Sequence, residues 1–494
     1  MSRTARVTYL MSASAYIDAG REAGLREGAL VKVVRGGAVI GVLKVTFLSS
    51  RQASCDIVSE STPVVVGDSV RFTAAAPPRD STVAARPSLQ TVPSRSALRG
   101  YAGAHYLVVG QGPGSGFTQP SLDLRLDGRP VSGGPIGLSL DVRARRTVST
   151  LGGGTAIDGH ARAYQLAMSW NPPSSPGRIT LGRQIAPPLA VVGVFDGVLA
   201  EVHAAQWSAG VFSGTQPDPV SLGFATDIVE GGGYVQRRSR PGGRQQWSTT
   251  LGLSGSYQNA HANREFAFLQ ASFSNGRFSS YVSQEIDYYR SWKRTPGMAA
   301  ISPTSTFATA RYRATNGLEV HAGFDNRRNV LLYRDFVNPV TTFDDAFRQG
   351  VWAGAALRWN RRYSLGFDAR QSSGGPAGQA NSYTLSIGAD RITPLAMGVR
   401  ARSTYFRSQQ INGWLNSLAL AFDAGNRLNL ELSGGARLER DRLATPPTTQ
   451  SILWGGLDLD VNVSRAWYLM LSGITERGGG DATSQIYGGL STRF

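Results

Sequence analysis

Lysine, cysteine and long apolar runs are all scarce in this sequence of 494 residues. The only lysines are Lys32, Lys44 and Lys293, so arginine supplies nearly all of the formal charge of +17. The single cysteine, Cys55, excludes an internal disulfide and a metal site built from cysteines, and is expected to be a small buried residue. No run approaches the roughly 20 apolar residues that a membrane-spanning helix needs.

The residues that are abundant favour an all-β protein. The chain has 59 glycines, 9% aromatic residues and only 17% charged residues, and no long stretch has the period of a helix. Glycine-rich, aromatic-rich and charge-poor composition is typical of many short strands joined by turns.

The positive charge is compatible with three partners: nucleic acid, an anionic membrane surface, or anions attracted into a channel. The arginines are spread over the whole chain and do not cluster on one helix. We therefore expect no nucleic-acid partner.

Residues 1–74 have the pattern of a compact β-module with five or six short strands. The pair Gly36-Gly37 separates two apolar runs and predicts a tight hairpin turn. This spacing predicts a small SH3-like barrel. In the pattern AGREAGLREG…VVRGGAVIGVLKV…VVVGDSV the module resembles the small C-terminal module of the flagellar assembly protein T family. The resemblance implies a periplasmic docking or spacer module.

Residues 75–98 are dominated by Ala, Pro, Ser and Arg and predict a semi-extended linker. From 99 to 494, apolar and polar residues alternate. In YSLGFDAR, for example, Tyr363, Leu365 and Phe367 lie on one face of a strand, and Ser364 and Asp368 lie on the other.

Two folds explain this alternation: a soluble antiparallel sheet with one face in a core, or a transmembrane barrel. Aromatic residues at strand ends, such as Trp247, Tyr257, Trp359 and Tyr405, match the aromatic girdles of a barrel. Short and long connections alternate, as they do in outer-membrane barrels. We predict an antiparallel transmembrane β-barrel of about 22 strands, within a range of 18–22.

The last residues, YGGLSTRF, continue the alternation to an aromatic end. Tyr487, Gly489 and Phe494 resemble the C-terminal sorting signal of bacterial outer-membrane barrels, which implies recognition by the barrel-assembly machinery. Thr492 departs from that pattern, since an apolar residue is usual there. The final strand is expected to pair with the stretch GYAGAHYLVVG, because an open sheet edge is not stable in lipid.

The predicted lumen carries charges of both signs in similar number. One explanation is a lattice of cross-strand ion pairs that stabilises a wide barrel, and the other is an arginine ladder that favours anions. The inward arginines proposed for the ladder are Arg143, Arg145, Arg311, Arg313, Arg358, Arg370, Arg400, Arg402 and Arg437.

The longest predicted loop contains Asp335, Asp344, Asp345 and Arg348. Long loops on rigid barrels often carry function, so this loop is a candidate constriction, and its acidic pair a candidate calcium site. The alternative is an ordinary solvated surface loop.

The sequence offers little evidence of enzymatic chemistry. None of the five histidines belongs to a closely spaced set of metal ligands. His321 is predicted to face the lumen with Glu319 and Asp325, which is compatible with a base for hydrolysis or with an ordinary polar lumen residue. We expect no enzyme activity, no metal and no cofactor.

Two functions remain open beside a barrel enzyme. The first is a porin-like passive channel for small solutes in the bacterial outer membrane, surrounded by outer-membrane lipid. The second is a non-conducting anchor or assembly protein whose module at 1–74 binds an envelope or appendage partner in the periplasm. In either case the export signal has been removed or lies outside this sequence.

Overall fold

The computed structural model describes residues 2–494 with some exceptions. The residues not described are 11–13, 20–24, 26–28, 37, 49–52, 61, 63, 74–96, 113, 130–133, 152–153, 174, 241, 295–298, 334–347, 361, 375–377, 391, 393–396, 425–426 and 480.

The first six strands form a small closed barrel in the order β1-β2-β5-β4-β3-β6. Their bounds are β1 Ser2–Leu10, β2 Ser14–Ile17, β3 Leu30–Arg35, β4 Ala38–Leu48, β5 Ala53–Glu60 and β6 Ser69–Thr73. Strands β3 and β4 pair from Arg35 and Ala38 onward, with Gly36 at φ +58°, as the predicted hairpin requires. The SH3-like comparison stays a prediction.

The small barrel has its own core. Val7, Val31, Val33 and Leu43 are fully buried inside it. Cys55 is buried in the same core, and its burial raises the pKa of the thiol to about 12. At the edge of this core the Arg35 guanidinium donates to both carboxylate oxygens of Asp68, at 2.8 and 2.7 Å.

The other 22 strands form one closed antiparallel barrel, which confirms the predicted fold and strand number. Their bounds are β7 Ala97–Gln111, β8 Gly116–Arg129, β9 Ile136–Leu151, β10 Gly154–Trp170, β11 Gly177–Gln184, β12 Phe195–Ala204, β13 Trp207–Thr215, β14 Ile228–Arg238, β15 Gln246–Gln258, β16 His261–Ser274, β17 Phe278–Tyr288, β18 Ile301–Arg313, β19 Leu318–Arg327, β20 Arg348–Trp359, β21 Tyr363–Ser373, β22 Ala380–Ala389, β23 Gly398–Arg407, β24 Ile411–Asp423, β25 Leu428–Asp441, β26 Thr449–Asn462, β27 Trp467–Gly478 and β28 Asp481–Arg493.

The barrel closes where the last strand pairs with the first. Strand β28 runs antiparallel to β7, with Arg493 opposite Tyr101 and Thr483 opposite Gln111. Beyond the last pair, the Phe494 amide donates to the Gly100 carbonyl at 3.1 Å, and the Gly100 amide donates to the Phe494 carbonyl at 2.8 Å. The terminal residue is therefore part of the wall, and β7 is the partner that the sequence predicts.

Strand β7 begins at Ala97, two residues before the boundary expected from the sequence, because Ala97 and Leu98 already pair with Arg129 and Gly128 of β8. Residues 75–96 of the predicted linker lie outside the described residues.

The two faces of the wall differ as the alternation predicts. On β21, Leu365 and Phe367 point outward and are 38% and 49% exposed, while Ser364, Asp368 and Arg370 point into the lumen. An outward apolar belt of this kind is the lipid-facing surface of a membrane barrel. Among the described helical segments, none has the length and hydropathy to cross a bilayer.

The barrel has two different ends. At the turn end lie Ala97, Phe494 and short connections such as 275–277, 314–317 and 360–362. At the loop end lie the long connections 185–194, 216–227, 289–300 and 328–347. The expected alternation is not strict, since the loop end also has the two-residue connection 259–260 and the turn end has the longer connection 390–397.

Candidate functional site

The inner wall of the large barrel is the candidate site, and all nine arginines predicted to line it lie on its strands. Their positions alternate with outward apolar residues, so that Arg400 and Arg402, for example, flank Ala401 on β23. Five of the nine make ion pairs with lumen carboxylates, and these five are Arg143, Arg311, Arg313, Arg400 and Arg437.

Three of these arginines, Arg311, Arg313 and Arg400, pair across strands as a cross-strand lattice requires, whereas Arg143 and Arg437 pair with carboxylates of their own strands. Arg400 Nη2 lies 2.8 Å from Glu431 Oε2, and Glu319 lies within 3.6 Å of both Arg311 and Arg313. The Arg311 and Arg400 side chains are nevertheless 61% and 62% exposed, although they face inward. Inward side chains with that exposure line an open, solvent-filled lumen.

Four predicted arginines, Arg145, Arg358, Arg370 and Arg402, have no ion pair within the described part of the chain. Three of them lie on neighbouring or nearby strands but at different levels of the wall: Arg358 is opposite Ser364, six residues along β21 from Arg370, and Arg402 of β23 lies at the level of Gly366. The inner wall beside them is built from small residues such as Gly366, Ser386 and Gly388, which leaves the guanidinium groups room. Arg370 lies 5.8 Å from the ring centre of Trp352. These arginines therefore present to the lumen positive charge that is not held in an ion pair within the described residues.

Most of the loop that was predicted to form a constriction lies outside the described residues. Asp335, Asp344 and Asp345 all fall in 334–347, so their predicted roles stay untested. Arg348 begins β20, where it pairs with Arg327 of β19, so it belongs to a strand and not to the loop.

A different connection, 185–194, folds against the inner wall. It contains a 3-10 turn at Pro187–Leu189, and its Leu189 side chain is fully buried. Leu189 packs against Leu199, Phe212 and Tyr234 on the inward faces of β12, β13 and β14. These four side chains belong to a larger group of buried residues, which we call the inner apolar cluster. Its members are Ala186, Leu189, Phe195, Leu199, Phe212, Tyr234, Phe266 and Phe268.

This inward segment was not predicted from the sequence. Its composition is the one available signal, because Pro187 and Pro188 are followed by the apolar run LAVVGVF in a connection too long for a tight turn. A surface loop has no reason to be that apolar.

The lumen is consequently asymmetric. Next to the inward segment, polar groups on the inner wall are closed off from solvent: Thr250 and Glu230 are each 2% exposed and Asp287 is 1% exposed. Arg264 neutralises Asp287 through a contact of 2.8 Å and also reaches Glu285 at 2.7 Å. On the opposite side the arginines of β20–β23 stay solvated.

Loop-end connections fold onto this closed side. Trp292 Nε1 donates to the Ala262 carbonyl at 2.8 Å, and the Tyr333 amide donates to Asn263 Oδ1 at 2.9 Å. The Tyr333 ring also stacks on His261, with ring centres 4.5 Å apart. These contacts narrow the loop-end mouth over β15–β18.

Two histidines bind carboxylates across the inner wall. His321 Nε2 lies 2.9 Å from Asp368, although the sequence places it with Glu319 and Asp325. Those two carboxylates bind arginines instead. His105 Nδ1 lies 2.9 Å from Asp123. In the described residues, no group of three or more His, Cys, Asp or Glu side chains is arranged to hold a metal ion.

The three residues of the proposed sorting signal have separate environments. Tyr487 faces the lumen and stacks on His105 with ring centres 5.7 Å apart. Gly489 lies opposite His105, and a Cβ there would be 2.7 Å from the imidazole ring. Phe494 points outward over Gly100 and is 54% exposed. Recognition by an assembly machine stays a prediction.

A closed antiparallel barrel of 22 strands, with an apolar outer belt and a polar lumen, is a transmembrane β-barrel, the architecture of bacterial outer-membrane proteins. No family model and no curated protein sequence matches the chain.

Solved structures with a similar fold are barrels of different kinds. They include the P pilus usher PapC translocation pore, at 12% identity and a TM-score of 0.42, covering 80% of this chain and 99% of that one. OpdL of Pseudomonas aeruginosa is 13% identical, with a TM-score of 0.39 and coverage of 81% and 98%. The ferric enterobactin receptor mutant of Pseudomonas aeruginosa is 10% identical, with a TM-score of 0.48 and coverage of 81% and 82%. At these values the similarity assigns no function.

Proposed function

We propose that the chain is an outer-membrane channel that passes small solutes passively and favours anions. The observation that carries the proposal is the solvated inner wall of β18–β25, where inward arginines such as Arg311 and Arg400 stay about three-fifths exposed. A barrel of 22 strands encloses a lumen wider than its side chains can fill. The proposal assigns no chemical step, cofactor or metal to the chain.

Selectivity is assigned to the four arginines that have no described ion pair. In a lumen of low effective dielectric, fixed positive charge raises the local concentration of anions. The paired arginines contribute less, since a carboxylate lies within 4 Å of each of them.

The test is the reversal potential of the full chain in a planar bilayer under a potassium chloride gradient. The wild type is expected to conduct and to prefer chloride. A variant with Arg145, Arg358, Arg370 and Arg402 replaced by Gln is expected to lose at least half of that preference. The matched control replaces the exposed arginines Arg244, Arg277, Arg427 and Arg465, which lie in turn-end connections. A wild type that does not conduct would refute the proposed channel. Equal reversal potentials for the two variants would refute the assignment of selectivity to the four arginines.

A second function is favoured by the small barrel. It is closed by its own strands and packed around its own core, and it leaves Leu30, Val39 and Val58 exposed on its surface. A passive channel does not need such a module. We propose that it lies in the periplasm and binds an envelope protein there.

Cross-linking in intact cells tests this second function, comparing the full chain with a chain that lacks residues 1–74. A partner that requires these residues would support docking. Identical cross-linked products from both chains would contradict it.

A further inference from the structure

The seam between β10 and β11 is the shortest in the large barrel. Only Leu166–Trp170 pairs with Ile179–Arg183, which makes five residue pairs. On its other side, β10 pairs with β9 along its whole length, from Gly154 to Trp170. The loop-end part of β10 therefore continues past the end of β11, and on that side it has no described strand partner. Fewer backbone hydrogen bonds hold this seam than any other seam described in the wall.

A single arginine closes the gap above the last pair. Arg183 binds both carboxylate oxygens of Asp196 on β12, at 2.7 and 2.6 Å. Its Nη1 also donates to the Ala163 carbonyl of β10 at 2.9 Å and to the Leu222 carbonyl of the 216–227 connection. Arg183 is only 8% exposed. It thus joins β10, β12 and a loop where strand pairing is missing.

The 216–227 connection lies at this gap and is held there by two arginines, Arg183 and Arg162. Arg162 of β10 donates to the Val220 carbonyl at 2.6 Å. Val220 and Phe224 of the same connection are 71% and 76% exposed. On the outer face of the seam itself, Leu166 and Leu181 are 54% and 44% exposed.

A row of glycines crosses the sheet beside this seam. Gly182 of β11 pairs with Gly197 of β12, which pairs with Gly214 of β13. A side chain at any of the three would collide with the backbone of the neighbouring strand, and Gly182 also has φ +109°. A row of glycines at a close approach marks a line where a sheet folds most easily.

The inner apolar cluster begins one strand away from the seam, at β12 and at the segment that follows β11. Its residues Phe195 and Leu199 belong to β12, and its Ala186 and Leu189 belong to the segment that continues from β11. A passive path for hydrophilic solutes has no use for eight buried apolar side chains on the lumen wall. An apolar inner surface, a short seam and an apolar outer surface here lie next to one another.

We propose that the β10–β11 seam opens laterally and passes a single-chain amphipathic anion between the inner apolar cluster and the surrounding bilayer. The alkyl chain lies against the cluster in place of the 185–194 segment, and the anionic head is attracted by the lumen arginines. Opening breaks the short pairing of β10 with β11 and releases the Arg183 contacts. Lateral exit is separate from the ion path of the proposed channel, so the two fail independently.

The experiment locks the seam with a disulfide. Met168 and Leu181 are directly opposite each other on the outer face, and the Cα separation of such antiparallel pairs suits a disulfide. The variant Met168→Cys/Leu181→Cys is made in a Cys55→Ala background. The matched control, Leu365→Cys/Ile387→Cys, locks the longer β21–β22 seam through another outward pair.

The purified full chain is placed in vesicles, and transfer of a fluorescent alkyl sulfonate from the lumen side into the bilayer is followed beside ion conductance. Oxidation of the seam pair is expected to reduce probe transfer at least tenfold without changing conductance, and reduction is expected to restore it. The control pair is expected to transfer the probe equally in both states.

A second variant, Arg183→Met/Asp196→Leu, removes the ion pair without leaving a lone buried charge. It is expected to raise probe transfer at least threefold. Equal transfer by oxidised and reduced seam pairs would overturn lateral opening, as would transfer no faster than in protein-free vesicles. If the protein does not conduct ions but still transfers the probe in a seam-dependent way, the proposed channel is refuted and lateral opening is supported.

Discussion

At the scale of single residues, the environment of each charge decides what it can do. Lys293 lies in the loop-end connection after β17, with its Nζ 5.4 Å from the ring centre of Trp292. Burial lowers the pKa of its ammonium group to about 8, although the nearby Asp287 carboxylate opposes the shift. Trp292 itself is fixed by the hydrogen bond to Ala262. The amine is thus held where protonation is costly.

This environment predicts an unusual pH profile for the Lys293 amine. Its acylation rate should level off above about pH 8, because the amine is already neutral there, while an ordinary lysine keeps gaining reactivity to about pH 10.5. Since the folded pKa lies below the unfolded one, raising the pH from 8 to 10.5 should also favour the folded loop. Mass spectrometry of the labelled peptide measures the profile. A rate still rising at pH 10 would contradict it.

A second prediction concerns Gly100, over which the Phe494 ring lies. A Cβ at position 100 would collide with that ring and lie 2.8 Å from Leu126 Cδ2. Gly100→Val should therefore reduce the yield of folded barrel several-fold, since the closing hydrogen bonds to Phe494 cannot form. Gly473→Val on β27 is the control, because nothing lies within 4 Å of its added Cβ. Gel mobility of unheated samples measures the yield, and equal yields would refute the prediction.

At the scale of elements, strands were predictable and connections were not. Period-two alternation in a stretch such as Tyr363–Arg370 defines both the strand and its faces, because each side chain has only two directions to choose from. The inward course of 185–194 depends on the packing of Leu189 with Phe212 and Tyr234. These residues are distant in sequence and come together only when the barrel is formed. For the same reason the sequence did not identify Asp368 as the partner of His321, since Asp368 lies two strands further along the wall.

The inward segment predicts a change in pore size. Replacing residues 186–192 by a glycine–serine stretch of equal length should raise single-channel conductance about twofold, because the apolar side chains that fill this side of the lumen are removed. The same replacement at 442–448, in the loop between β25 and β26, is the control and should have little effect. Unchanged conductance in the first variant would show that the segment does not limit the pore.

At the scale of the whole molecule, the sequence supported two closed barrels and the number of strands in the larger one. It could not show that the lumen is open on the β18–β25 side and closed near β12–β17. The closed side is formed by the inward 185–194 segment and by the loop-end contacts of Trp292 and Tyr333, which join residues distant in sequence. The ion pairs of the lumen were equally hidden. Arg400 reaches Glu431, two strands away, while Arg402 on the same strand has no ion pair in the described chain. Spacing within one strand carries no information about such contacts.

Closure predicts resistance to detergent. Every strand of the large barrel pairs with a neighbour on each side around the ring, so unfolding in sodium dodecyl sulfate should require heating. Unheated protein should migrate faster on a gel than boiled protein. A chain lacking 1–74 should show the same difference between heated and unheated samples. A barrel that unfolds in the detergent at room temperature would contradict closure.

The pairing of β28 with β7 also bears on how the protein is made. The wall can be completed only after the last residue has emerged from the ribosome, because Tyr101 must meet Arg493 across almost the entire barrel sequence. Joining such distant ends has a large loop-closure entropy cost, so ring closure is expected to be the slow final event of folding. The six-stranded barrel needs nothing beyond Thr73 and can fold long before that. Synthesis would thus yield a finished N-terminal unit tethered to an open, unpaired sheet, and that intermediate is the species a chaperone would have to protect.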